Sequence, residues 1–150
     1  MNIVGHSMGG VSGLRLLTQT PINSDRPVIK KFVAIGSPFN DFIDTFDDQN
    51  LDELLKNGPT EESERFILYQ AEIPNMSKET EVLLIGGALS EDDQSDGTVP
   101  LSSALSVHHM LKNNGNETQY MVVEGQGAGH SALHENTEVD KKVSEFLYSK

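Results

Sequence analysis

The sequence has no cysteine and few basic residues: of its 150 residues, 11 are lysine or arginine, against 23 aspartate or glutamate. The absence of cysteine excludes disulfide bonds, thiol catalysis and thiolate metal sites, but it does not select a cellular compartment. A formal net charge of -12 argues against nucleic acid or an anionic membrane surface as the main partner. No apolar run has the length of a transmembrane helix, and no basic leader of the signal-peptide kind is present. The length fits one globular domain over residues 1–150.

Residues 3–10 read IVGHSMGG and contain the pattern G-x-S-x-G, with Ser7 at its centre. This pattern is typical of a serine held in a strained turn between a buried strand and a helix. Gly5 and Gly9 are expected to let the backbone pass close by without a Cβ clash. The Ser7 hydroxyl would then lie beside a helix N-terminus, whose N–H groups and dipole favour a developing oxyanion. The apolar flanks favour this nucleophile elbow over an ordinary glycine-rich turn.

Segments with strand-like and helix-like patterns alternate along the chain. Apolar, β-branched runs predict strands at residues 1–4, 28–36, 81–87 and 118–123. Helical spacing predicts helices from Met8 to before Pro21, over residues 101–111 and over residues 139–147, with loop at residues 23–27. The alternation predicts an α/β fold with a parallel sheet of about four strands, flanked by helices.

Residues 40–80 interrupt this alternation. Acidic and aromatic residues alternate near the start of this segment, and a short amphipathic piece follows at residues 51–55. Thr60 is predicted to cap a helix that runs to about Ile73. So long a connection between two core strands is typical of a cap or lid over a site, and an ordinary surface excursion is the alternative.

A nucleophilic serine needs a base within hydrogen-bond reach, and that base needs a group that orients it. In a parallel sheet these groups lie in loops at the carboxyl ends of the strands, which share one rim. Residues 95–100, SDGTVP, follow one predicted strand and offer Asp96; residues 127–131, GAGHS, follow the last and offer His130. The order serine, acid, histidine is that of the α/β-hydrolase fold.

The acid has two rivals, because Asp92 and Asp93 lie in the same loop. Asp96 is preferred since Gly97 permits a tight turn and the following residues 99–100 anchor the loop before the next helix. Asp92 and Asp93 are interpreted as solvated loop charges, with a calcium site as a remote alternative.

The base has a rival in His134, but His130 is preferred because it directly follows a glycine-rich loop. His108 lies on an apolar helix face and is interpreted as a partly buried structural histidine, and His109 is expected to be exposed. His6 is expected to pack and form hydrogen bonds beside the elbow.

Two further residues, Ser37 and Phe39, follow the second predicted strand. Because loops after strands share the rim of a parallel sheet, we expect Ser37 and Phe39 to line the substrate pocket.

The sequence resembles the second half of an α/β hydrolase of the lipase/esterase type, and it is most similar to the cell-surface hydrolases of Gram-positive bacteria. The matching stretches are residues 4–10, 95–100 and 129–136, which together span nearly the whole chain. The resemblance implies Ser7 as nucleophile, Asp96 as orienting acid and His130 as base. It also implies the backbone N–H of Met8 as one oxyanion donor, and a cell-surface or secreted location, with the cytoplasm left open.

An intact hydrolase of this kind has several strands before the elbow, and they are absent here. The sequence therefore predicts the C-terminal part of the fold: a truncated product, a misassigned start or one piece of a longer protein. The elbow strand would keep an unpaired edge. The loop that normally supplies the second oxyanion donor is also missing, and one such donor is worth on the order of 10²–10³ in rate.

These features predict a serine hydrolase that cleaves an ester or related acyl bond of a small or lipid-like substrate through an acyl-enzyme, without cofactor or metal. Acyl transfer on the same three residues is one alternative. The other is a catalytically impaired fragment that folds with a missing partner segment, or as a homodimer through the exposed elbow strand.

Overall fold

The computed structural model describes residues 1–19 and 28–149. The predicted end of the first helix before Pro21 and the predicted loop at residues 23–27 lie outside the described residues. The described α-helices and β-strands, in chain order, are β1 (Asn2–His6), α1 (Met8–Gln19), β2 (Lys31–Ile35), β3 (Phe39–Phe42), α2 (Leu51–Asn57), α3 (Glu64–Glu72), β4 (Glu81–Ala88), α4 (Leu101–Ala104), α5 (His108–Asn113), β5 (Thr118–Glu124) and α6 (Thr137–Tyr148).

Four of the strands form one parallel sheet in the order β1-β2-β4-β5. The central strands β2 and β4 are buried almost throughout, as their continuous apolar runs require when helices cover both faces. The edge strand β1 is more exposed. The predicted α/β fold with a parallel sheet of about four strands is therefore confirmed.

Alternate residues of the central strands enter two cores, one on each face of the sheet. Phe32 and Leu84 pack on the face that α1 covers, and Val33 and Leu83 pack on the face that α6 covers. This division follows from the two-residue period of a strand. Both faces are thereby sealed, and the loops at the carboxyl ends of the strands remain as the open rim.

The connection between β2 and β4, residues 36–80, packs into the first of these cores. It contributes the buried side chains of Leu54, Phe66, Tyr69 and Ile73. The connection is therefore held by the same apolar contacts that hold α1 to the sheet. Along the described ranges 1–19 and 28–149, no helix has both the length and the apolar character needed to cross a membrane.

The single helix predicted over residues 101–111 is wrong, because the chain forms two short helices, α4 and α5. Leu105 has φ -105° and ψ 3°, outside the helical region. The hydroxyl of Ser106 donates to the carbonyl of Ser103 at 2.7 Å. Serine side chains compete with backbone N–H groups for the carbonyls of a helix, and this hydrogen bond lies at the turn between α4 and α5.

The predicted cap at Thr60 is also wrong, since α3 begins three residues later with Ser63 as its N-cap, whose hydroxyl accepts from the N–H of Phe66 at 3.1 Å. The buried side chain of Asn40 decides this boundary. It donates to the carbonyl of Glu61 at 2.8 Å and accepts from the N–H of Ser63 at 2.8 Å. These bonds hold Ser63 in its extended capping conformation, with a φ of -73° and a ψ of 165°, so α3 begins at Glu64 and not directly after Thr60.

Candidate active site

Ser7 lies in the turn between β1 and α1 with a φ of 56°. The left-handed region costs a non-glycine residue roughly 1–2 kcal/mol, and such strain is concentrated at functional sites. Two backbone hydrogen bonds hold the turn: the N–H of Ser7 donates to the carbonyl of Ile35 at 2.8 Å, and the N–H of Gly10 donates to the carbonyl of Ser7 at 3.1 Å. The turn thus places a serine at the rim of the sheet in a fixed conformation.

The glycines of the elbow have different roles. A Cβ on Gly5 would lie 2.5 Å from the backbone nitrogen of Gly10, so the close crossing of β1 and α1 requires glycine there. A Cβ on Gly9 would meet nothing within 4 Å, which corrects the expectation that Gly9 is needed for close approach. The second crowded glycine is Gly10, where a Cβ would lie 1.9 Å from Oγ of Ser37.

A chain of two hydrogen bonds joins Ser7, His130 and Asp96. Nε2 of His130 lies 2.9 Å from Oγ of Ser7, and Nδ1 of His130 lies 2.7 Å from Oδ2 of Asp96. An ionised carboxylate only accepts hydrogen bonds, so Nδ1 carries the proton and the lone pair of Nε2 faces the serine hydroxyl. A histidine in this tautomer can take a proton from Ser7.

Asp96 is held rigidly for its contact with His130. Its side chain is only 1% exposed. Its Oδ1 accepts from the N–H groups of Thr98 at 2.9 Å and Val99 at 2.6 Å, which leaves Oδ2 for the histidine. This loop geometry agrees with the turn that Gly97 was expected to permit, since Gly97 has a φ of 92°.

Two glycines at the ends of the central strands make room for His130 and its loop. Gly36 follows β2 with a φ of 58°, and a Cβ there would lie 3.0 Å from Oδ2 of Asp96. A Cβ on Gly87 would lie 2.4 Å from the carbonyl oxygen of Ala128. The loop that carries His130 can therefore lie directly on the ends of the strands.

The rival acids and the rival base form no hydrogen bond with Ser7 or His130. Asp92 and Asp93 are exposed, and Asp93 accepts from the hydroxyl of Ser95 at 2.5 Å. The side chain of His134 is 46% exposed, its Nε2 lies 3.8 Å from Oε1 of Glu135, and no hydrogen bond joins it to Ser7. Across residues 1–19 and 28–149, no group of three or more His, Asp or Glu side chains could hold a metal ion.

The other two histidines lie in α5. His108 is 5% exposed, and burial, with the charge of Lys112 as a second cause, lowers its pKa. Its ring meets that of Tyr120 edge-on at 5.6 Å, which is a structural contact. His109 was expected to be exposed but is half-buried, with Nε2 3.0 Å from Nδ2 of Asn113.

The expected pocket contacts of Ser37 and Phe39 need correction, because both side chains are buried. Ser37 is 1% exposed and lies against Gly10, and Phe39 is 0% exposed with its ring edge-on to Tyr69 at 5.9 Å. The apolar sequence context of a loop does not reveal which of its side chains turn inward. Here Ser37 lies against the elbow at Gly10, and Phe39 packs into the core beside Tyr69.

Arg65 of α3 is a residue at the site that sequence reasoning missed. Its Nη1 lies 3.6 Å from Sδ of Met8, 3.3 Å from the carbonyl oxygen of Pro38 and 3.3 Å from Oδ1 of Asp41. Asp41 has a positive φ of 51°, which the neighbouring residues in the sequence do not predict. No sequence pattern connects residue 65 with residue 8, so only the folded chain brings this cation to the elbow.

Tyr69, one turn further along α3, ties the same helix to α1. Burial raises the pKa of Tyr69 to about 12, so its hydroxyl stays protonated at neutral pH. The hydroxyl donates to the carbonyl of Val11 at 3.4 Å. Helix α3 therefore lies against the first turns of the helix that begins at Met8.

A parallel α/β sheet with a serine in a strained strand–helix turn, faced by a histidine and an acid from later loops, defines the α/β-hydrolase class. The model of a family described as alpha/beta hydrolases of unknown function, DUF915, matches residues 1–150. The chain belongs to this family. No curated protein matches it.

Solved structures agree with this assignment. The lin2722 gene product of Listeria innocua is 30% identical with a TM-score of 0.86, and the alignment covers 100% of this chain and 58% of that one. The putative cell surface hydrolase of Lactobacillus plantarum WCFS1 is 21% identical with a TM-score of 0.74, covering 99% and 54%. A thermostable carboxyl esterase of Bacillus coagulans is 12% identical with a TM-score of 0.57, covering 97% and 62%. The chain thus spans somewhat more than half the length of these proteins.

Proposed function

We propose that this chain is a serine hydrolase of the esterase or lipase type, with Ser7 as nucleophile, His130 as base and Asp96 as orienting acid. The observation that supports it is the continuous hydrogen-bond chain, 2.9 Å from Ser7 Oγ to His130 Nε2 and 2.7 Å from His130 Nδ1 to Asp96 Oδ2. Nucleophile, base and orienting group within hydrogen-bond reach are the signature of an activated serine.

The reaction follows from these roles. Nε2 of His130 takes the hydroxyl proton as Oγ of Ser7 attacks the acyl carbon, and the proton then passes to the leaving alcohol as the ester bond breaks. Water, deprotonated by the same nitrogen, hydrolyses the acyl-enzyme and regenerates Ser7. Asp96 keeps the imidazole in place and stabilises its positive charge in both halves.

The backbone N–H of Met8 is proposed as one donor to the oxyanion. Met8 is the first residue of α1, so its N–H has no acceptor within the helix. The dipole of α1 adds a partial positive charge at the same point. Both features favour negative charge beside Oγ of Ser7, where it develops during acyl transfer.

Residues 40–80 are proposed to act as a cap at the edge of the site. The support is the contact of Arg65 with Met8 and the bond of Tyr69 to Val11, which bring α3 beside the elbow. A cap there would contribute to substrate selection among small or lipid-like esters.

A fluorophosphonate probe tests the assignment of the nucleophile. We expect the wild-type chain to be labelled and Ser7→Ala not to be, because the probe reacts only with an activated serine. Labelling that survives in Ser7→Ala would remove Ser7 from this role. In parallel, His130→Ala should abolish labelling while His134→Ala retains it; full activity of His130→Ala would refute the choice of base.

A cell-surface location is proposed from the name of the Lactobacillus plantarum relative alone. Brief protease treatment of intact cells that express the protein tests it. Digestion without lysis is expected, and protection until lysis would contradict the proposal.

A further inference from the structure

Ser7 and His130 follow strands at opposite edges of the described sheet. Strands β1 and β5 lie at opposite edges of the described sheet, with β2 and β4 between them. At about 4.8 Å per strand, the two edges are roughly 14 Å apart. Residues 125–136, which follow β5, must therefore return over β4 and β2 to bring His130 to Ser7. Catalytic groups need positions accurate to about 0.5 Å, so such a loop has to be fixed.

Both backbone polar groups of His130 are fixed by its neighbours at the site. Its N–H donates to the carbonyl of Asp96 at 2.8 Å. Its carbonyl oxygen lies 2.7 Å from Nε2 of His6, the residue that immediately precedes Ser7. The backbone of His130 is thus bonded to Asp96 through its N–H and to His6, at the end of β1, through its carbonyl oxygen.

The contact between His6 and the carbonyl of His130 indicates which ring nitrogen of His6 carries a proton. A carbonyl oxygen only accepts, so Nε2 of His6 carries a proton and donates it in this bond. Nε2 of His6 is thus bonded to the backbone of His130, whereas the hydroxyl of Ser7 is bonded to Nε2 of His130. The ring of His6 contacts two others, with centroids 4.8 Å from the ring of His130 and 4.7 Å from that of His134.

We propose that His6 is a positioning residue for the base, His130. The hydrogen bond from its Nε2–H to the carbonyl of His130 fixes the position of the loop of residues 125–136 relative to Ser7. The bond joins residues 124 positions apart and adds no group to the reaction itself. The inference rests on the proposed hydrolase function and deepens it. Displacement of a reacting group by about 1 Å is able to reduce a rate by about 10²-fold.

Two variants separate the hydrogen bond from the ring packing. His6→Phe keeps an aromatic ring in contact with His130 and His134 but has no donor. His6→Gln keeps an N–H donor at a similar distance from the backbone but has no ring. If His6 acts through its hydrogen bond, the glutamine variant should be the more active of the two, although it packs less well.

The experiment measures hydrolysis of a short-chain p-nitrophenyl ester and the rate of fluorophosphonate labelling, with Ser7→Ala as the blank and thermal unfolding recorded for each variant. We expect His6→Phe to lower kcat by about 10- to 100-fold with KM nearly unchanged, and His6→Gln to recover most of that loss. Wild-type kcat in His6→Phe, or an equal loss in both variants, would overturn the proposal.

A spectroscopic measurement covers the case in which a variant fails to fold. In wild-type protein, long-range ¹⁵N–¹H correlation spectra should show His6 as the Nε2–H tautomer at neutral pH. The Nδ1–H tautomer would overturn the proposal without any variant. A wild-type chain that neither hydrolyses the ester nor reacts with the probe would instead remove the hydrolase function, and the positioning role with it, so the two failures are distinct.

Discussion

Gly36 shows how one residue controls the contact between Asp96 and His130. Its φ of 58° is in the left-handed region, and an added Cβ would lie 3.0 Å from Oδ2 of Asp96 and 3.5 Å from Nδ1 of His130. We predict that Gly36→Ala lowers the free energy of unfolding by about 1–2 kcal/mol, from backbone strain alone, and also reduces ester hydrolysis. Urea denaturation and steady-state kinetics measure the two effects.

The matched control for Gly36→Ala is Gly9→Ala, for which only the free energy of unfolding is compared. Gly9 lies in the first turn of α1, and a Cβ there would meet nothing within 4 Å. Because alanine favours the helix, the free energy of unfolding should stay constant or rise by up to about 1 kcal/mol. Equal destabilisation of both variants would contradict the role given to Gly36.

His108 makes the stability of the chain sensitive to acid. Burial, with the charge of Lys112 as a second cause, lowers the pKa of His108 below the usual histidine value of about 6.5. Between the lowered pKa and 6.5 the unfolded chain binds more protons than the folded one. The contribution of neutral His108 to the free energy of unfolding is therefore fully present above pH 6.5, and it is lost as the pH falls through the lowered pKa.

We predict that His108→Phe weakens the dependence of stability on pH between 7 and 5. Phenylalanine keeps an aromatic ring against Tyr120 but binds no proton. One group contributes at most about 1.4 kcal/mol per pH unit, so this is the upper limit of the expected change in slope. Urea denaturation at several pH values measures it, and an unchanged slope in the variant would contradict the prediction.

At the scale of elements, Lys31 of β2 holds the end of α6. Its Nζ donates to the carbonyl of Phe146 at 2.5 Å, to the carbonyl of Ser149 at 2.8 Å and to the hydroxyl of Ser149 at 2.6 Å. The residue is only 7% exposed. A cation at the C-terminus of a helix satisfies free carbonyls and complements the dipole, so this side chain docks α6 on the sheet.

We predict that Lys31→Met lowers the free energy of unfolding by about 2–3 kcal/mol, because the charged hydrogen bonds of Nζ to the end of α6 are lost. Lys30→Met is the control. Lys30 forms an ion pair with Glu79 at 3.5 Å in which both side chains are more than half exposed, and its removal should change stability by less than about 1 kcal/mol. Chemical denaturation that ranks the two variants alike would contradict the capping role.

At the scale of the molecule, the edge of β1 is open. Within the described residues β1 pairs only with β2, and Val4 of β1 is 50% exposed. An apolar edge strand of this kind favours pairing with another strand. Of the two alternatives that the sequence leaves open, pairing with a missing partner segment or with a second copy, we predict that the 150-residue chain forms a symmetric homodimer through β1.

Light scattering coupled to size exclusion tests the dimer. Val4→Lys places a charge on the edge and should shift the chain towards monomer. Ile67→Lys, at a residue of α3 that is 52% exposed, is the control and should leave the mass unchanged. A wild-type chain that elutes as a monomer over a range of concentrations would contradict the prediction.

Much of the fold and of the candidate site follows from local patterns. The continuous apolar runs of β2 and β4 identify buried parallel strands, and the G-x-S-x-G run identifies the turn at Ser7, because both signals depend on neighbouring residues. The positions of Asp96 and His130 in loops after strands follow from the geometry of a parallel sheet. Their hydrogen bonds at 2.7 Å and 2.9 Å agree with that expectation.

The expectations that failed depend on contacts between distant residues. The start of α3 at Glu64 is decided by Asn40, and the inward packing of Ser37 and Phe39 is decided by the elbow and by Tyr69. A propensity or a loop position carries no information about such partners.

The sequence by itself determined the α/β class, the strained serine and the order of the three candidate catalytic residues, since each is written in short stretches of chain. Only the tertiary structure decided what surrounds them: Arg65 beside Met8, Gly36 beside Asp96, and His6 bonded to the carbonyl of His130. The physical reason is that hydrogen bonds and packing act over a few ångströms in space, whatever the separation along the chain.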